Sequence, residues 1–398
     1  MRKSLSLALL VGISVLVHAQ QAGPFAAESD HYRVISETSQ SQADDVSRMM
    51  EAALSLYNGV FHFDLSTLPA RYTVKVFKDA DSFNDYVQKV LSQKRTDFVF
   101  IAWSDPAKSE LLCYPKEQRA FTSSLLHQGT IQFLKGFVEN PPLWLREGVA
   151  TYLDNATWDP AAGTFRYRPN LLWLESLKAQ LRGETPVKFV PFTDLINFTR
   201  EAAQAQQEIF TPESWGLVQF LLSSPDSSHG RLIWDSISSL DPKATLESNS
   251  AKVRKRVFSW ITEQKLRQDF EAYILSLKTG NDFVREGIDF YSKGDLARSE
   301  AALNSAVDVQ PDTSAAWYYL GLISYTRKDY AKADEMYMKA FQLGANAAII
   351  NYALGVNAFA AGKNADAAKY LKFARDANPS AYADKVDALL KRMEAKSP

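Results

Sequence analysis

The chain has 398 residues, of which 46% are hydrophobic and 23% charged, and its formal net charge is −1. That length exceeds one ordinary domain of ~100–200 residues and points to two or three. A charge so near zero lacks the electrostatic footprint of a nucleic-acid binder or of a protein drawn to an anionic membrane surface.

The first residues read as an export signal. A basic "MRKS" precedes the apolar run "LSLALLVGISVLV", and Val17 and Ala19 place small residues at the −3 and −1 positions of a cleavage site. Residues 1–19 are therefore expected to be a signal peptide, with a periplasmic or secreted mature chain starting near Gln20. The run is shorter than the ~20 residues of a membrane-spanning helix, so no transmembrane segment is expected in the mature chain. Cys113 is the only cysteine and cannot close an internal bridge. Its apolar setting, "ELLCYPK", suits a buried structural thiol.

From about Ser29 to Pro115 the pattern is mixed α/β. "HYRVIS" and "RYTVKVFK" alternate as strands, "ADDVSRMMEAALSLYNGVF" and "ADSFNDYVQKVL" have helical periodicity, and "DFVFIAW" reads as a buried strand. The following segments are mainly helical: "RAFTSSLLHQGTIQFLKGF", "PLWLREGVATYLD", "PNLLWLESLKAQLR", "PESWGLVQFLLSS" and "AKVRKRVFSWITEQKLRQDFEAYILSL". A strand-rich lobe followed by a helical lobe places any cleft between the two. The basic run Lys252–Arg256 reads as a solvated helix face, and Trp215, Trp234 and Trp317 fit core positions on helices.

The C-terminal third repeats. Gly287, Gly321 and Gly355 recur at intervals of 34 residues, as do Ala306, Ala340 and Ala374. The middle unit, "AWYYLGLISYTRKDYAKADEMYMKAFQLGANA", resembles the tetratricopeptide repeat, a pair of antiparallel helices. Small residues at Gly321 and Ala333 would let the two helices approach closely. Each unit alone leaves an apolar face uncovered, so the units must stack. Three repeats are expected over 280–381, with a capping helix and tail over 382–398. The resemblance implies a protein or peptide partner on the concave face, near Tyr291, Tyr318 and Asn351.

The stretch from Ser123 to Asp154, "SSLLHQGTIQFLKGFVENPPLWLREGVATYLD", carries a second resemblance. "HQGTIQ" at His127–Gln132, then Pro141, Pro142, Trp144, Leu145, Glu147, Gly148, Ala150 and Tyr152, is similar to the peptidase MA-like group of gluzincin zinc peptidases. "ESWGLVQFLL" from Glu213 resembles a downstream helix of that family. The likeness implies that residues 20–278 are a degenerate two-lobed gluzincin-like domain. The overall expectation is an α+β domain, a mixed α/β lobe followed by a helical lobe, joined to an all-α tetratricopeptide solenoid.

The departures from that family fall on its chemistry. His127 matches the first zinc ligand and Glu147 the carboxylate ligand, but Ile131 stands where the second histidine belongs. Gln128 stands where the general base belongs. Catalytic zinc takes three protein ligands and a water; this helix pair offers two. A carboxamide cannot take a proton from water near neutral pH, and loss of a general base costs ~100–10,000-fold. His31, His62 and His229 have no metal-ligand spacing to His127, and His229 reads as part of a flexible loop. No bound zinc and no catalysis at this site are expected. The reading that follows is an exported pseudopeptidase acting as a binding scaffold or adaptor. An active zinc peptidase with a non-standard metal site and a structural subunit of a cell-envelope assembly are the alternatives.

Overall fold

The structure, a computed structural model, describes residues 24–394. The expected signal peptide lies outside the described residues. Five strands, β1 (Phe25–Glu28), β2 (Tyr32–Ser36), β3 (Tyr72–Val76), β4 (Val99–Ile101) and β5 (Glu110–Cys113), form one sheet in the order β1-β2-β3-β5-β4. The three inner strands are parallel, while β1 and β4 are antiparallel edges.

Parallel neighbours need crossover connections, and a helix supplies the first two. Helix α1 (Gln40–Phe61) starts where the Ser39 side chain accepts from the Gln42 N–H, and it ends at His62 in the left-handed conformation, φ 52°. Helix α2 (Ala80–Leu91) starts on an Asp79 cap. Side chains alternate across β5, as the pleat requires. Leu111 and Cys113 join the large core with α1 and α3 (Gln118–Phe137), whereas Leu112 packs with Phe83 and Val87 of α2. The sheet is thus sandwiched between α2 and the α1–α3 layer. Cys113 is fully buried and burial pushes its thiol pKa up, which suits an inert packing role.

One sequence expectation changes here, and two strands are added. "DFVFIAW" supplies only the short edge strand β4, with Val99 and Phe100 half-buried, because the strand pairs on one side alone. The sheet's buried strand on that side is β5, whose four residues are too few to show a period. Strand β1 was not anticipated at all.

Helix α4 (Leu143–Leu153) follows the Pro141-Pro142 turn, and the hairpin β6 (Thr157–Asp159) and β7 (Thr164–Arg166) follows it. The helical lobe then runs through α5 (Leu174–Leu181), α6 (Phe192–Ile196), α7 (Arg200–Ala205), α8 (Gln207–Ser223), α9 (Ser227–Ser238), α10 (Leu246–Val257) and α11 (Glu263–Ser276). Gly148 lets α4 lie against α8: a Cβ there would sit 2.5 Å from the Ser214 carbonyl oxygen. The segment read as one helix from Ala251 to Leu277 is two, since Thr262 caps a new start at α11 by accepting from the Lys265 N–H. His229 is not in a loop. The Ser/Asp-rich "SPDSSH" is a helix cap, with Asp226 accepting from the Ser228 N–H, and His229 lies buried in the first turn of α9. Trp215 is fully buried, but Trp234 is half-exposed and meets His62 edge-on.

The C-terminal helices are α12 (Gly280–Ser292), α13 (Leu296–Val309), α14 (Ser314–Thr326), α15 (Tyr330–Gln342), α16 (Ala347–Ala360), α17 (Asn364–Ala377) and α18 (Pro379–Glu394). They form three antiparallel pairs and a last helix. At Gly287, Gly321 and Gly355 a Cβ would lie 2.5, 2.4 and 2.7 Å from Leu303, Tyr337 and Leu371 respectively, each on the paired helix. The glycines admit those large side chains, and successive apolar clusters join one pair to the next. The array is anchored to the preceding lobe by Lys178 of α5. Its buried ammonium reaches the Leu277 carbonyl and lies 3.4 Å from Asp282 of α12. Among the described residues no helix is long and apolar enough to cross a membrane.

Candidate functional site

Helices α3 and α4 meet at a cluster of charged side chains. His127 lies midway along α3. Pro142 is extended, with φ −52° and ψ 136°, and turns the chain into α4, which carries Arg146 and Glu147 and ends at Asp154. His127 Nε2 is 3.4 Å from Glu147 Oε2, and its Nδ1 is 3.3 Å from Asp154 Oδ2. Arg146 Nε donates to Glu147 Oε1 at 2.8 Å. Asn170, in the loop after β7, donates to Asp154 Oδ1 at 2.7 Å and to the Thr151 carbonyl at 3.0 Å.

The electrostatics follow from this arrangement. Burial disfavours the charged form of His127, but the hydrogen bonds and charges of Asp154 and Glu147 outweigh it and raise the pKa to about 10. Burial opposes ionisation of Glu147 too; the Arg146 charge and the His127 contact prevail and lower its pKa to about 2. At neutral pH His127 is therefore an imidazolium facing the ionised Glu147. An imidazolium has no lone pair to give a metal.

The remaining two positions lie on the same helix. Gln128 turns toward the sheet edge, where its side-chain oxygen accepts from the Phe100 N–H of β4 at 3.0 Å. Ile131 sits one turn after His127 on the same helical face and is half-buried. The donor set is thus His127 and Glu147, with Asp154 on the other imidazole nitrogen in the place of an outer-shell orienting carboxylate. The other histidines within the described residues are engaged elsewhere: His31 with Glu51, His62 with Trp234, and His229 with Ser224 and Asp269. Among the described residues there is no group of three or more His, Cys, Asp or Glu side chains placed to hold a metal ion. A zinc site needing three protein ligands does not fit these residues.

Arg146, Asp154 and Asn170 escaped the sequence reading. Asp154 stands seven residues after Glu147, two helical turns on the same face, so helical spacing could have found it. Asn170 arrives from a separate segment, and no sequence signal marks it.

The repeats carry a second candidate surface. Tyr291 of α12 meets Tyr319 edge-on at 5.6 Å between ring centroids, and Tyr319 meets Tyr318 of α14 at 5.4 Å. Asn351 of α16 bonds back to the Ala347 carbonyl of its own helix. Adding one repeat length to Tyr318 lands on Tyr352, which packs against Tyr382 of α18 at 4.9 Å. Tyr352, rather than Asn351, is thus the register equivalent of Tyr318, and the 34-residue period was enough to identify it.

Two comparisons bear on identity. No curated protein matches the chain. A family model described as Tetratricopeptide repeat matches residues 284–340, which run from within α12 to within α15, so this part of the chain is similar to that family of helical repeats.

Proposed function

We propose that this protein is an exported, non-catalytic scaffold in which a degenerate peptidase MA-like domain, residues 20–278, carries a tetratricopeptide platform that grips a protein or peptide partner. Tetratricopeptide repeats generally mediate protein–protein contacts, and stacked repeats offer extended surfaces for peptides and helices. The observation that carries the reading is the set of tyrosines on the first helices of successive repeats and on the last helix: Tyr291, Tyr318 and Tyr319, then Tyr352 with Tyr382 of α18. Half-buried tyrosines give large contact area with a polar tip, the composition that interface centres favour.

The non-catalytic part of the proposal rests on the α3–α4 cluster. His127 faces two carboxylates as an imidazolium, so a metal would have to displace a proton held to about pH 10. Ile131 supplies no donor, and the Gln128 oxygen is committed to the β4 backbone. A second reading, descent from an active metal site with some affinity left, draws on the convergence of His127 Nε2 and Glu147 Oε2 at 3.4 Å.

Metal analysis of purified protein, with capture of partners from envelope or secreted fractions, tests both. The expected outcome is substoichiometric zinc, no chelator-sensitive peptidase activity, and a specific partner lost on Tyr318→Asp and Tyr352→Asp. One zinc per chain with activity abolished by chelation overturns the non-catalytic reading. Partner capture that survives both substitutions and removal of residues 280–398 overturns the repeat assignment. Export is tested by mass analysis of the mature N-terminus, expected near Gln20.

A further inference from the structure

A second cluster lies in the helical lobe, apart from the α3–α4 cluster and from the repeats. Ser224 caps the C-terminus of α8, His229 occupies the first turn of α9, and Asp269 projects from α11. The Ser224 hydroxyl is 2.8 Å from His229 Nδ1, and His229 Nε2 is 3.5 Å from Asp269 Oδ2. A nucleophile, an imidazole and a carboxylate thus stand in line. The His229 side chain is 8% exposed and its ring lies 4.4 Å from that of Phe220, so its orientation is fixed by packing. Asp269 beside Nε2 favours the tautomer with its proton there. That leaves the Nδ1 lone pair facing the Ser224 O–H, which is what a general base for a hydroxyl nucleophile requires.

The surroundings suit a ligand. The three residues line a cleft of ≈ 720 Å³, within the ~300–1,000 Å³ range of small-molecule sites. Phe220, Trp260 and Tyr273 give it apolar walls. Trp260 is half-exposed, and the Arg231 guanidinium sits 4.0 Å from its ring centroid. The Asp226 N–H donates to the Ser224 oxygen at 3.3 Å, which fixes the position of the hydroxyl at the mouth of α9. Lys265 lies 2.5 Å from the other oxygen of Asp269, so that carboxylate is shared between an ammonium and the imidazole.

We propose that Ser224, His229 and Asp269 form an acyl-transfer site for small carboxylic esters with an apolar acyl group, an activity distinct from the scaffold role. Ser224 Oγ attacks the ester carbonyl carbon as its proton passes to His229 Nδ1. The carbon–oxygen bond to the leaving group breaks, and the alcohol departs with that proton. Water then attacks the acyl-serine carbonyl, giving a proton to Nδ1. The Oγ–acyl bond breaks, the acid is released, and Nδ1 returns the proton to Oγ. The sum is ester plus water giving acid plus alcohol, with no redox change. Ser224 and His229 act on the reacting atoms, and Asp269 is a positioning residue.

The test treats the full chain with a fluorophosphonate probe and maps the adduct by mass spectrometry, alongside hydrolysis of p-nitrophenyl acetate and butyrate. The expected result is a single adduct on Ser224 of folded wild-type protein. Ser224→Ala and His229→Gln should each lower ester turnover by ~100-fold or more. Asp269→Asn should lower kcat by about 10-fold with KM unchanged, a split that a merely structural role would not give. Wild-type labelling decides the matter even where a variant fails to fold. Folded wild-type protein that takes no adduct on Ser224, or an adduct whose rate is indifferent to His229→Gln, overturns the proposal. So does a Ser224→Ala variant that loses thermal stability while wild type remains unlabelled, because the triad is then only a staple of the α8–α9 turn.

Discussion

Raising the pH should weaken the fold through His127. In the folded protein its pKa is raised from 6.5 to about 10, against the pull of burial, by Asp154 and Glu147. A group whose folded pKa lies above its unfolded value stabilises fully below the unfolded pKa and loses that contribution as pH rises through the folded one. The loss therefore runs from about pH 6.5 to about pH 10. At about 1.36 kcal/mol per unit the ceiling is about 5 kcal/mol. The side chain is 26% exposed, and Glu147 is also shared with Arg146; these reduce the expectation to roughly 2–3 kcal/mol. Glu147 works in the opposite window, since its pKa is lowered from 4.5 to about 2 and its contribution fades as pH falls toward 2. The cluster is thus most stabilising between about pH 4.5 and 6.5. Urea unfolding of wild type and His127→Gln at pH 6 and pH 10.5 isolates the effect from other titrating groups. The stability difference between the two proteins should shrink by that amount at the higher pH. An NMR titration that places the His127 midpoint near 6.5 in the folded protein, or a difference independent of pH, would refute the reasoning.

Glu213 should act with the same sign of slope. It is fully buried, burial raises its pKa to about 8, and its one backbone partner is the Val190 N–H; the wild-type fold should lose stability between about pH 4.5 and 8, and Glu213→Gln should remove this contribution in urea titrations, leaving that of His127 above about pH 6.5. In the α3–α4 cluster, Ile131→His together with Gln128→Glu should give about one zinc per chain by elemental analysis, whereas Gln128→Glu alone should give none, because only the histidine adds the missing ligand. Neither single change should restore peptide hydrolysis. In the repeats, Gly321→Val should cost ~1–3 kcal/mol in thermal unfolding, since a Cβ at this position lies 2.4 Å from the Tyr337 ring; an unchanged melting temperature would show that Tyr337 can move aside.

The helical repeats could be read from the sequence because each unit encodes the same contacts locally. A glycine facing a large side chain recurs at Gly287, Gly321 and Gly355, and a period needs no knowledge of distant partners. Tyr352 follows from the same register once Tyr318 is carried forward, whereas Tyr291 corresponds to Tyr325. His127 and Glu147 were also legible, one on each of two neighbouring helices joined by a proline turn. What those side chains do was settled elsewhere. Asp154 and Glu147 set the charge of His127, and Asn170, which holds Asp154, reaches the cluster from a separate segment after the hairpin β6–β7. Gln128 looked like a lost base, and its bond to the Phe100 N–H shows that it also fastens the edge strand to α3. The strand β5 carries no period in four residues, yet its place between β3 and β4 makes it wholly buried. Likewise the sequence shows Ser224, His229 and Asp269 only as scattered residues in a loop-like stretch and a later helix. Periodicity determines which faces are apolar and where close packing is possible. The pairing of polar groups tens of residues apart depends on how the helices cross, and only the tertiary structure decided it.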